Sequence, residues 1–84
     1  MRKKAAEALV ALPASPETQA ALIAALGSDS NPAVRILAVE GLSKAAKELR
    51  DPVTIRTLRE KASDETENGY VRSQAALALR GMVL

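Results

Sequence analysis

The chain has 84 residues, 12 Lys and Arg against 10 Asp and Glu for a net charge of +2, and is 48% hydrophobic and 26% charged. That is the size of a single domain, residues 1–84, and the composition of a folded chain rather than a disordered one. With no Cys, no His and Tyr70 as the sole aromatic, disulfides, thiol or imidazole catalysis and His-based metal or haem ligation are excluded together.

The first segment, 2–12, opens on Arg2-Lys3-Lys4 and continues with apolar residues. Glu7 interrupts them and Pro13 stops them, which a signal peptide would not tolerate. Ser15-Pro16 begins the second segment, 16–26, pairing an N-cap hydroxyl with a ring already set at the helical φ. Its apolar run, Ala20 to Leu26, is too short to span a membrane. Gly27 is expected to end it in the left-handed conformation. Asn31-Pro32 begins the third segment, 32–49, where Val34, Leu37, Ala38, Gly41, Leu42, Ala45 and Leu49 fall on one face at about 100° per residue. Ala38, Gly41 and Ala45 predict close approach of a neighbouring helix backbone, with the larger side chains filling the space beside it. Asp51-Pro52 begins the fourth segment, 52–63. The acidic stretch Asp64, Glu65 and Glu67 lacks the ligand spacing of a calcium loop, and is read as a solvated loop whose charge complements the last helix dipole. Asn68 repeats the cap, with Gly69 in place of proline, ahead of a fifth segment, 70–83, that carries Val71, Ala75 and Leu79. All five read as helices, and none alternates as a strand does.

Two segment types recur in turn. Asn31 to Leu42 overlies Asn68 to Leu79 at an offset of 37, and Arg2, Ala5 and Leu9 stand 33 residues before Arg35, Ala38 and Leu42, with Met1 in the place of Val34 and Val71. Between them, Ser15-Pro16, Leu22 and Leu26 match Asp51-Pro52, Leu58 and Ala62 at an offset of 36. The pattern Asp-x-Asn-Pro-x-Val-Arg-x-x-Ala-x-x-x-Leu, Asp29 to Leu42, resembles the HEAT-like repeat of the phycobilisome-lyase type. Asp64, Asn68, Val71, Arg72, Ala75 and Leu79 resemble a second copy with a longer loop, and Arg2, Ala5 and Leu9 a truncated third. The resemblance implies an all-α fold, a short right-handed α-α superhelix of five helices and about two and a half repeats. The signature positions of tetratricopeptide repeats are not found, and armadillo repeats show three helices per unit where this chain shows two.

The recurring Arg2, Arg35 and Arg72 are read as a structural ladder, reaching Asp29, Asp64 and loop carbonyls of adjacent units through charge-assisted bonds. The resemblance implies the same role for them. No catalytic, cofactor or metal residue is expected: a Ser–His–Asp hydrolase is excluded and no Gly-rich phosphate loop is present. Opposite the packed stripe lie Lys3, Glu7 and Val10, then Ile36, Glu40, Ser43 and Lys47, then Ser73, Leu77 and Arg80. In HEAT-like solenoids this second-helix face is concave, and its apolar Val10, Ile36 and Leu77 amid mixed charge suit a protein contact. The expectation is a non-catalytic protein-interaction or scaffold module whose partner is another protein or another part of a longer parent chain. An accessory segment of a chromophore-lyase-like protein is the alternative. A nucleic-acid backbone is the weaker one, since the basic residues are diluted by acids and no row of aromatics offers stacking. Ala5, Ala8, Leu9 and Leu12 at one end, and Met82, Val83 and Leu84 at the other, predict a segment of a longer solenoid or end-to-end self-association. A cytoplasmic location is the default reading.

Overall fold

The computed structural model describes residues 2–81. Five helices follow in order: α1 (Lys3–Ala11), α2 (Pro16–Ser28), α3 (Pro32–Leu49), α4 (Pro52–Ser63) and α5 (Gly69–Arg80), with no strand among the described residues. Met1, Met82, Val83 and Leu84, and with them the expected run of the last helix to 83, lie outside the described residues.

The four expected caps set the helix starts. Ser15 Oγ accepts from the Thr18 amide at 3.2 Å while Thr18 Oγ1 accepts from the Ser15 amide at 3.0 Å, so each side chain satisfies the other's backbone. Asn31 caps through the Ala33 amide (3.0 Å), Asp51 through Thr54 (3.2 Å), and Asn68 through Tyr70 and Val71 (2.8 and 3.3 Å). Only α1, whose N-cap is Arg2, has no side-chain cap. The ends differ from expectation. Gly27 lies inside α2, which runs on to Ser28 and closes at an extended Asp29, and no described glycine has positive φ. The left-handed residue is instead Arg50 (φ 50°, ψ 37°), which ends α3 directly before the Asp51 cap. A two-residue connection between long helices demands that turn there, whereas the Asp29–Asn31 connection reverses with extended backbone.

The helices form two layers. α2 packs on α3 and α4 on α5 as hairpins, and α1, α3 and α5 lie side by side; α2 and α4 touch more lightly. The shortest extent, 15 Å, fits two helices packed about 10 Å apart with Cα radii of about 2.3 Å each. Alone among the five, α3 contacts all the others. Its buried residues therefore cover a wider arc than one stripe: Val34, Ala38, Gly41, Leu42 and Ala45 are buried as expected, and Val39 and Ala46 are buried as well. Leu37 is half-buried, and Leu49 is 45% exposed, on the wall of a crevice that it shares with Ala20 and Ile23 of α2 and Val53 of α4. In α1 the buried residue is Ala6, not Ala5, while Leu9 packs at the edge of the core.

Leu26, Leu42, Leu58, Val34, Val39 and Val71 are the largest fully buried apolar side chains; each stabilises the fold by about 1.5–3 kcal/mol through removal from water. Gly41 serves differently from the expected backbone approach. A Cβ there would lie 2.7 Å from Leu22 Cδ1 and 3.0 Å from Val10 Cγ2, so its space holds side chains from α2 and α1. One polar clasp crosses the first-helix layer: the hydroxyl of fully buried Thr54 lies 2.5 Å from Gln19 Oε1 on α2 and 3.1 Å from Asp51 Oδ2.

Candidate protein-interaction face

Of the expected ladder, one rung forms. Arg35, in the first turn of α3, donates from Nε to Glu67 Oε1 at 3.1 Å, forms a second bond from Nη2 to Glu67 Oε2, and donates from Nη1 to the Asp29 carbonyl at 3.0 Å. Lys61 Nζ stands 3.5 Å from the same carboxylate, and the Asn68 amide donates to it at 2.9 Å. The partner in the following repeat is thus Glu67, a residue read above as part of a solvated loop. Its side chain is only 3% exposed. Burial pushes the Glu67 carboxyl up, but the bonds from Arg35 and the Asn68 amide, with the charges of Arg35 and Lys61, outweigh burial and hold it below the usual range.

Asp64 does not take that place, because its Oδ1 accepts from the Thr66 amide (2.9 Å) and hydroxyl (2.7 Å) in a local turn. Those bonds hold its carboxyl below the usual range. Asp29 contributes its carbonyl to Arg35, and its Oδ1 accepts from the Asn31 amide at 2.9 Å. Arg2 is exposed without a side-chain partner among the described residues. The register supplies the reason: the position 37 residues before Glu67 is Ser30, which carries no charge.

The ten residues assigned to the second-helix face separate by burial. Lys3, Glu7, Glu40, Lys47, Ser73, Leu77 and Arg80 are exposed, and Ser43 is half-buried with its hydroxyl donating back to the Val39 carbonyl at 2.7 Å. Lys3 and Glu7 approach to 4.0 Å along α1, a solvated pair one turn apart worth a few tenths of a kcal/mol, on the order of 0.3. Val10 and Ile36 depart from expectation: both are half-buried and pack against the core, Val10 beside Gly41. Ser73 lines a crevice with Arg72 and Ala76 on the side of α5 away from α3.

Leu77 keeps the expected character, at 54% exposed. Tyr70 joins it. Two helical turns before Leu77 and 46% exposed, Tyr70 donates its hydroxyl to Glu40 Oε1 at 3.3 Å and so bridges α5 to α3. The charge of Glu40 raises the phenol above its usual value. Its seven-residue spacing from Leu77 is the signal that places it on this face. Lys47, seven residues beyond Glu40 on α3, runs toward the end of α5, its Cε 3.6 Å from where a Cβ on Gly81 would stand. Two exposed rings or aliphatics on α5 thus lie along an acid and a base on α3. Such a strip can bury apolar area and orient a partner by charge. Among the described residues no cluster of acids suits a metal ion, and no helix is long and apolar enough to cross a membrane.

The family model for HEAT repeats matches residues 1–80. No curated protein and no solved structure matches the chain.

Proposed function

Because the chain belongs to the HEAT-repeat family, in which interaction scaffolds are common, we propose that it is a non-catalytic protein-binding module whose contact surface is the layer of second helices. The observation that carries this reading is the exposed Tyr70 and Leu77 on α5, set beside Glu40 and Lys47 on α3. A merely solvated helix face has no need of two large apolar groups on one strip, whereas interfaces are enriched in aromatic anchors inside a charged rim. The partner is another protein, or another part of a longer chain. The phycobilisome-lyase type remains a resemblance of Asp29 to Leu42, and no further residue favours a tetrapyrrole role.

The test uses photo-crosslinking from Tyr70 and Leu77 in cells of the source organism, with the exposed Val53 of α4 as a control on the opposite layer. One defined protein captured from the α5 positions and not from Val53, and lost on Leu77→Glu with helicity unchanged, supports the reading. Equal capture from both layers, or binding indifferent to Leu77→Glu, contradicts it.

A further inference from the structure

Arg72 repeats Arg35 at the offset of 37, yet its environment is incomplete. Arg35 bonds through all three of its guanidinium nitrogens, to the Asp29 carbonyl and to Glu67 of the following hairpin, whereas Arg72 Nε is buried with no hydrogen-bond partner. A buried guanidinium nitrogen left unbonded is costly, and proteins seldom leave one so. Next to it opens a crevice of about 370 Å³ lined by Ala62, Gly69, Arg72, Ser73 and Ala76. Ala76 corresponds in register to Val39, which is fully buried on α3, the helix that packs against α5. The Arg position that receives the following hairpin on α3 therefore recurs on α5 beside an open crevice.

We infer that the free side of α5 is a docking site for an α-helical hairpin that carries a carboxylate directly ahead of the N-cap of its second helix, and that this carboxylate bonds Arg72 as Glu67 bonds Arg35. The occupant's chemistry is set by continuity with the internal α3–α5 interface and by charge. A second copy of this chain is a poor fit. Placed head to tail it brings up α1, whose start is Arg2, Lys3 and Lys4, and placed end to end it sets Arg72 against its own counterpart. This site is separate from the Tyr70–Leu77 strip and does not rest on it.

The test adds to the full-length protein a synthetic peptide with the sequence of residues 45–81, which contains Glu67 in its native place, and follows association by calorimetry and light scattering. One-to-one association is expected. Arg72→Gln in the protein, or Glu67→Gln in the peptide, should each weaken it by about tenfold or more, as loss of a charge-assisted bond requires. Reversing both, Arg72→Glu with Glu67→Arg, should recover much of it, while Leu77→Glu should leave it unchanged. No association, or equal affinity for wild-type protein and Arg72→Gln, overturns the inference; self-association of the protein in place of peptide binding does so too. Since a free peptide must fold to bind, the same residues are also fused in register after Gly81. A higher Tm that Arg72→Gln abolishes supports the site, and an unchanged Tm overturns it.

Discussion

Arg35 and Glu67 make a contact that neither could find within its own repeat: one stands in the first turn of α3, the other in the loop that delivers α5. Removing one side of a buried, hydrogen-bonded pair leaves the other charge without compensation, so Arg35→Ala is expected to cost about 3 kcal/mol in urea unfolding. Acid should act in the same place. The folded carboxyl of Glu67 lies below its ordinary value of 4.5, so its stabilisation is complete above that value and disappears as pH falls through the lower folded one. Glu67→Gln should therefore lower stability at neutral pH and flatten the acid limb of the pH profile, and an unaltered limb would show that other carboxylates govern it. The arginine was legible from its recurrence at Arg2, Arg35 and Arg72. Its partner was not, because Asp64, Glu65 and Glu67 share one short acidic loop and only the path of that loop decides which carboxylate turns inward. The same holds for Thr54: its place after Asp51 announces a cap, while its contact with Gln19 depends on how α2 and α4 lie together.

At the level of whole helices, starts were more legible than ends. A cap followed by proline is a local instruction, carried out by Ser15, Asn31 and Asp51 without reference to the rest of the fold. Ends depend on where the chain must go next, and so Gly27 was spent inside α2 while Arg50 took the left-handed turn. The glycine position gives a direct check. Nothing lies within 4 Å of a Cβ added at Gly27 and its φ is not positive, so Gly27→Ala should stabilise the protein by about 0.5–1 kcal/mol through helix propensity alone. Thermal denaturation would register a loss instead if Gly27 were a true left-handed stop. The apolar stripe of α3 was legible in its main members, but Val39 and Ala46 were not, since periodicity marks one face and cannot say that a second flank is also covered.

For the molecule as a whole, the repeat in the sequence disclosed the stacking of α1, α3 and α5, and the match to the HEAT-repeat family agrees with it. What it could not disclose was how unevenly the burden is spread. The buried residues of α1 come down to Ala6, whereas α3 alone supplies seven, and every other helix leans on it. Hence α1 is expected to detach while the remaining four stay assembled, whereas opening α3 removes the one helix that packs on all the others. After transfer to deuterated water, the slowest amides should be those around Val39 to Leu42, exchanging at the rate of global unfolding, while those of α1 exchange earliest among the helices. The central rod thus behaves as a keystone: apart from the light touch of α2 on α4, the two flanks meet only through it, and tightening that support would stiffen both at once.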